Sequence, residues 1–279
     1  MHKLTSHSIC FFVRDLQDKE RAPATIQKYR SCLEQFYLWL PKEKTVSKSD
    51  VVQYKNSLME SHAPGGVNTI LAALNGFFRF MNWSDCIVKP LHIQRRLFSD
   101  QKRELHREEY IRLVETARMR KNTQLELMLQ LMASTGMRVS EIPYVTAEAL
   151  EANRIQIHLK GKIRTILLPE KLRHKLRKYQ RSQKIHSGPI FLSKQRKPVD
   201  RRWIWAQMKR LCGAAGVEKE KVFPHNLRHL FARTFYKAQK DIAKLADVLG
   251  HSSIETTRIY LLSSGMEHQQ ILDRLHLLC

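Results

Sequence analysis

The sequence predicts a mainly α-helical fold with one small β-sheet (α+β), built in two parts. Three observations lead there. Apolar residues recur at three- and four-residue steps in both parts of the chain, the period of a helix with one buried face. A single stretch, residues 154–169, alternates instead around Lys160-Gly161-Lys162, which reads as a β-hairpin with glycine at its turn. Residues 94–110, QRRLFSDQKRELHREEY, are polar and lack a long apolar stripe, so they mark a connection between compact parts.

The first part, residues 1–95, is helical by pattern. Ile26, Tyr29, Leu33, Phe36, Tyr37 and Leu40 form one stripe, closed by Pro41, which cannot continue a helix. Ser47-Lys48-Ser49-Asp50 resembles a capping box ahead of Val51, Val52, Tyr54 and Leu58. After Pro64-Gly65-Gly66 comes a third stripe of Ile70, Leu71, Leu74, Phe77, Phe78 and Met81. Residues 96–106 are then a linker, and a new helix at about residue 107 opens the second part, 107–279.

In that part NTQLELMLQLMAST is almost continuously apolar, a buried helix stopped at Gly136. Ile155, Ile157 and Leu159 supply the first hairpin strand and a β-branched run the second. Helices resume with Ile204, Met208 and Leu211, then Leu227, Leu230, Phe231 and Phe235, then Ile242, Leu245, Ala246 and Leu249. Gly250 stops the last, and Ser252 or Ser253 caps a following helix that would carry Tyr260. There is no internal repeat and no low-complexity tract.

Composition bounds the partners. The 279 residues suffice for two domains. Lys and Arg number 49 against 26 Asp and Glu, a formal charge of +23, which argues for a polyanionic partner. No apolar run approaches the length of a membrane span, and the first twenty residues mix apolar with charged side chains, unlike a signal peptide. A cytoplasmic protein with no membrane partner is expected. Cys10, Cys32, Cys86, Cys212 and Cys279 are odd in number and show no C-x-x-C spacing, which fits free thiols better than disulfides or a zinc site.

The charge is concentrated. Residues 1–95 hold 13 basic and 8 acidic side chains, whereas residues 154–210 hold 18 basic ones against Glu170 and Asp200, a net +16. A charge run is usually a solvated face. Clustering on this scale favours a phosphate-rich partner.

Several polar residues lie inside or beside the apolar elements. Arg138 follows the buried helix in STGMRVSEI, where a charge is costly unless paired or on a ligand; an ion pair with Glu141 is its plain reading. FPHNLRHLF sets His225 and Arg228 on one helix face, three residues apart. Alone, they read as a hydrogen-bonded core histidine and a surface salt bridge. In LGHSSIETTRIY, His251 follows a glycine and Tyr260 comes nine residues later, a spacing that packing alone would also allow. Together, two arginines and two histidines supply bidentate clamps and tunable donors suited to a phosphate and the charge that builds on it.

T-G-M-R-V-S-E, H-N-L-R-H and L-G-H-S-S, with the tyrosine nine residues beyond that last histidine, closely resemble the tyrosine recombinase (phage integrase) family. The resemblance covers about residues 105–265. It extends more loosely to ATIQKYRSCLEQFYLWL, which is similar to the opening helix of the family's SAM-like core-binding domain. The layout is that of the short, Xer-type members.

The resemblance implies that the Tyr260 hydroxyl attacks a phosphodiester of double-stranded DNA, leaving a 3′-phosphotyrosyl link and a free 5′-hydroxyl. A phenol of reference pKa about 10 needs help to do this at neutral pH. By the same resemblance His225 handles that proton and His251 helps hold the phosphate. Arg138 and Arg228 neutralise the non-bridging oxygens, and a hairpin lysine protonates the departing oxygen. No metal, other cofactor or ATP is implied. A homo-tetramer (or hetero-tetramer) on paired DNA sites is, and the tail MEHQQILDRLHLLC would form a helix through Met266, Ile271, Leu272 and Leu275 that docks on a neighbour or folds back on its own core.

The hairpin departs from the family pattern G-K-G-x-K-x-R-x-V-P, because H-L-K-G-K-I-R-T-I-L-L-P has Leu159 in place of the first glycine. Lys160, directly before Gly161, is the better match for the lysine; Lys162 is the alternative. Two other functions use the same features: a type IB topoisomerase, and a DNA-binding protein without catalysis.

Overall fold

A computed structural model describes residues 2–93, 103–159, 162–251 and 253–260. The chain groups into two compact units, Met1–Arg95 and Arg96–Cys279. Helix predominates among the described residues, and the sheets are two separate two-stranded ones. No helix among the described residues is long and apolar enough to cross a membrane.

Four helices build the first unit: α1 (Ser6–Asp18), α2 (Pro23–Trp39), α3 (Lys48–Ser61) and α4 (Pro64–Phe80). The three stripes legible in the sequence correspond to α2, α3 and α4. Pro23 at the first turn of α2 loses no helical hydrogen bond. Ser47 and Asp50 satisfy each other's backbone N–H groups at the start of α3, a full capping box. Phe36, Leu71, Leu74, Phe77 and Phe78 are wholly buried where the helices meet.

Helix α1 is an addition to the pattern read from the sequence. Thr5 caps it, Ser8 reciprocates, and Ile9, Phe12 and Leu16 are buried on one face. That stripe is narrow and broken by Arg14 and Asp15. A second addition is a ribbon of two-residue strands, β1 (His2–Lys3) against β2 (Thr45–Val46), antiparallel with His2 opposite Val46.

The second unit contains α5 (Arg107–Met119), α6 (Thr123–Thr135), α7 (Ala147–Glu151), the strands β3 (Arg154–Leu159) and β4 (Lys162–Leu167), and then α8 (Glu170–Ser182), α9 (Arg201–Ala215), α10 (Pro224–Gln239), α11 (Ile242–Leu249) and α12 (Ile254–Arg258). Helix α6 is buried on most sides through Leu125, Leu127, Met128, Leu129, Leu131 and Met132. It ends at Gly136, whose φ of 63° is a left-handed conformation. A Cβ there would run into the Phe231 ring and lie 2.9 Å from Leu249 Cδ2. Glycine therefore lets the end of α6 abut both α10 and α11.

The hairpin pairs Arg154 with Leu167 through to Leu159 with Lys162, and Ile155, Ile157 and Ile166 are buried. Two helices of this unit go beyond the sequence reading. Helix α8 is strongly basic, and only Leu172, Leu176 and Tyr179 anchor it in the core. Helix α7 is a short helix capped by Thr146. At the far end, Ser253 caps α12, which stops at Arg258, so Tyr260 sits just past that helix instead of on it. Several expectations fall outside the described residues: Lys160 and the Gly161 turn, the Lys162 side chain, Ser252, the linker up to residue 102, and the tail helix through Met266–Leu275.

Candidate active site

Three chain reversals in the second unit bring the polar residues together. The first follows α6: past Gly136 the chain extends at Arg138 and turns into a 3-10 helix, Val139–Tyr144. The Glu141 carboxylate caps this turn by accepting from Arg138 twice. The Arg138 backbone N–H donates to Glu141 Oε2 at 2.7 Å, and Arg138 Nη1 donates to Oε1 at 2.9 Å. The ion pair read from the sequence therefore exists. The Arg138 side chain nevertheless stays 40 % exposed, while that of Glu141 is 2 % exposed, so the pair anchors Arg138 and leaves it a solvent-facing surface.

A buried carboxylate needs more than one partner to offset its lost hydration. The second comes from β4. Arg164 Nη1 lies 3.0 Å from both oxygens of Glu141, which adds to the acceptor sites already used on that carboxylate. Burial lowers the Arg164 pKa to about 10 even though Glu141 opposes the shift, so the side chain remains cationic at neutral pH.

The second reversal opens α10 at Pro224. His225 is in its first turn, and Arg228, one turn on, points inward with only 1 % exposure. Every nitrogen of Arg228 is engaged. Nε donates to Tyr260 Oη at 3.3 Å, Nη1 to the Gly136 carbonyl, and Nη2 to the Leu249 carbonyl and His251 Nε2, each at 2.8 Å. Two of these acceptors are buried carbonyls at the ends of α6 and α11, groups a helix cannot satisfy internally. The arginine is thus held by two helix C-termini, whose partial negative charge suits a cation.

The third reversal is α11–Gly250–α12. Gly250, at φ 65°, turns the chain so that His251 faces Arg228. The guanidinium has no acceptor, so Nε2 of His251 must offer a lone pair and Nδ1 must carry the hydrogen. Nδ1 accordingly donates to Thr257 Oγ1 at 2.8 Å. Burial, then Arg228 and Arg138, hold the His251 pKa down at about 4. Tyr260, 4 % exposed, has its ring nearly parallel to His251 with centroids 5.6 Å apart.

His225 is the outermost of the set. Its pKa is lowered by burial and by Arg228 and Arg138, so it is neutral at neutral pH, with its centroid 5.7 Å from that of Tyr260. Packed against both, at 4.7 Å from His225 and 4.4 Å from Tyr260, is the ring of His229. Burial and the adjacent His225 and Arg228 lower its pKa to about 4.

The structure thus gathers His225, Arg228, His251 and Tyr260 in direct contact or ring packing, with Arg138 near enough to shift three of them electrostatically. Lys160 lies outside the described residues. The sequence motifs assign no role to Arg164, His229 or Thr257, and present Glu141 only as a salt-bridge partner. The signals are there: Arg164 shares the inward face of β4 with buried Ile166, between exposed Ile163 and Thr165, and His229 closes H-N-L-R-H. The one trio of described residues spaced to hold a metal ion, His2, Asp85 and Cys86, belongs to the other unit. An anion fits the assembled site, because it presents cations, neutral imidazoles and a phenol with its oxygen beside a guanidinium.

Residues 103–265 match the phage integrase family, and residues 9–85 match the phage integrase N-terminal SAM-like domain. The chain belongs to the phage integrase family. Among curated relatives, this family member is 32 % identical to tyrosine recombinase XerD of Xanthomonas campestris over 164 residues, 53 % of this chain and 50 % of the relative. It is 28 % identical to tyrosine recombinase XerA of Thermococcus kodakarensis over 256 residues, 88 % and 86 % of the two chains. It therefore spans about half of the XerD relative and most of the XerA one. A lambda integrase tetramer bound to a Holliday junction shares the integrase fold, with TM-score 0.75, 18 % identity, and coverage of 93 % of this chain and 78 % of that one.

Proposed function

We propose that this integrase family member is a site-specific DNA recombinase, cutting and rejoining strands through Tyr260. The observation that carries the reading is the contact of the Tyr260 hydroxyl with Arg228 Nε. A phenol beside a guanidinium meets any phosphate that the guanidinium binds. In the reaction Tyr260 Oη forms a bond to phosphorus and the bond to the 5′-oxygen breaks. Neutral His225 accepts the phenol proton, and a hairpin lysine, Lys160 by motif, gives one to the departing oxygen. The reverse reaction with another strand's 5′-hydroxyl rejoins the backbone, so the ester's energy is retained and ATP is not required. Arg138 and Arg228 neutralise the charge that grows on the non-bridging oxygens, and no step requires a metal or other cofactor.

His251 takes a different part in this scheme from the one its motif alone suggests. With its Nε2 lone pair turned to Arg228, it orients the guanidinium and comes to the phosphate through it. Residues 1–95 serve as the core-binding domain, 96–106 as linker and 107–279 as the catalytic domain with its tail. Double-stranded DNA is the substrate, four protomers act on paired sites, and the cytoplasm is the compartment. The family matches support the domain assignments, the relatives' names the recombinase activity, and the lambda integrase tetramer on a Holliday junction the four protomers.

The test is covalent trapping on candidate DNA sites nicked near the cleavage point, where the short released fragment prevents religation. Wild type accumulates a protein–DNA adduct. Tyr260→Phe, which removes one oxygen and no positive charge, binds the same DNA and accumulates none. Adducts in that variant would exclude Tyr260. Relaxation of a plasmid carrying no such site would favour a topoisomerase.

A further inference from the structure

We propose that Arg164 is a positioning residue for strand cleavage, a strut that fixes Arg138 through Glu141 and the His251 turn through the end of α11. The inference rests on the recombinase reading. Arg164 contacts both the Glu141 carboxylate, at 3.0 Å to each oxygen, and the Val248 carbonyl, to which Nη2 donates at 2.9 Å. Glu141 in turn holds both the backbone and the guanidinium of Arg138. Val248 is three residues before His251. One guanidinium thus references the two sides of the phosphate seat to the same point on β4.

A planar fork can do this where a point charge cannot, because its two terminal nitrogens address acceptors on different elements at once. The fit around it is tight. Gly250 packs so closely on the Arg164 stem that a Cβ at residue 250 would collide with Cδ and approach within 2.8 Å of Nε. The Arg164 side chain is 11 % exposed, and its Nε is buried without a hydrogen-bond partner in the structure. An unmet buried donor is destabilising, so the side chain is not placed there for the benefit of its own burial. Its placement serves the two outward contacts.

The position in the hairpin permits a competing account. Arg164 is two residues from Lys162 and four from Lys160, so on that account it acts only by holding the lysine that protonates the leaving oxygen. The contacts favour the phosphate side, since both go to elements carrying Arg138 and His251. A substrate with a 5′-bridging sulfur separates the accounts, because sulfur departs without a proton.

The experiment measures single-turnover adduct formation at saturating nicked DNA, with DNA affinity and melting temperature alongside. Arg164→Met should slow the adduct step roughly a hundredfold, the scale of an ångström of misplacement, with affinity little changed and no recovery on the sulfur-bridged DNA. Arg164→Lys, keeping its ion pair with Glu141, should fall between it and wild type. Gly250→Ala should mimic the loss by displacing the strut. Gly216→Ala controls for the backbone, because Gly216 has φ 59° and open space around it. Combining Gly250→Ala with Arg164→Met should add little further, as expected for two lesions at one place.

A merely structural role would lower the melting temperature and the active fraction while the rate constant of the active enzyme stayed at wild type, and that result overturns the proposal. So does recovery on sulfur-bridged DNA, or full additivity of the two substitutions. Should Arg164→Met not fold, Arg164→Lys and the Gly250–Gly216 comparison decide the matter by the same criteria. A wild type that forms no adduct on any candidate site would sink the recombinase reading and this strut with it. A reactive wild type with an equally reactive Arg164→Met would sink the strut alone.

Discussion

Arg228 Nη2 donates to His251 Nε2 at 2.8 Å, and this one bond fixes the protonation of the imidazole. A protonated ring would set two cations face to face with no acceptor between them. Thr257 completes the arrangement by accepting from Nδ1, so the tautomer is determined from both sides. The histidine is consequently a fixed neutral acceptor around which the guanidinium is aligned.

Arg228 itself holds more than chemistry. Arg228→Lys replaces a fork serving Gly136, Leu249, His251 and Tyr260 with a single nitrogen that cannot reach all four. Losing charged hydrogen bonds to buried carbonyls should cost on the order of 3 kcal/mol. Chemical denaturation should show that loss, together with loss of adduct formation. A variant as stable as wild type would mean that the carbonyls find other donors.

Acid should destabilise the fold around the site. His229 and His251 are held at about 4 in the folded state, against 6.5 ordinarily. Between those values the unfolded chain takes up protons that the folded chain refuses. Stability therefore falls as pH drops from 6.5 towards 4, and this contribution is fully present above that window. Melting temperature measured against pH should show the decline, and His229→Phe with His251→Asn should flatten it. An unchanged slope in the double variant would assign the acid sensitivity elsewhere.

The motif residues were legible because each stands at a helix end or in a helix's first turns, where short signatures such as T-G-M-R and L-G-H are written locally. The frame around them was not. Glu141 and Arg164 meet across 23 residues, and Arg164 reaches the Val248 carbonyl across 84; neither pairing leaves a periodic trace. Helix α8 escaped for another reason. Its three buried positions are diluted by lysines and arginines, so charge masks a stripe that Leu172, Leu176 and Tyr179 define at steps of four and three. Helix α1 was hidden by its broken stripe and the β1–β2 ribbon by brevity, since two-residue strands are specified by tertiary packing.

The basic segment makes a prediction about salt. Arg201 and Arg202 are exposed in the first turn of α9, within the segment of net charge +16. Affinity for DNA should fall steeply with ionic strength. Replacing both arginines by glutamate should flatten a log–log plot by roughly 0.9 for each phosphate no longer neutralised. A slope unaffected by the substitutions would show that this end of α9 faces away from DNA.

The hairpin lysines can be told apart by the leaving group. Lys160→Ala should be severely slowed on ordinary DNA and largely restored on the 5′-sulfur-bridged substrate, which needs no general acid. Lys162→Ala should show a smaller defect and no selective recovery. Recovery of the Lys162 variant alone would transfer the role to that residue.

Tyr260 is buried with Ala232, Leu245 and Leu249 in a small apolar cluster of its own, apart from the large core around α6. A cluster of that size gives way at lower free energy than the core beside it. The segment carrying the nucleophile should therefore open as a local cooperative piece while the rest of the unit stays folded. Backbone amides of α11 should exchange with solvent deuterium well before those of α6, and by more if Leu245 is truncated to alanine. Reactivity and local opening are then two readings of one equilibrium: the contacts that hold Tyr260 against Arg228 also set how often it is released.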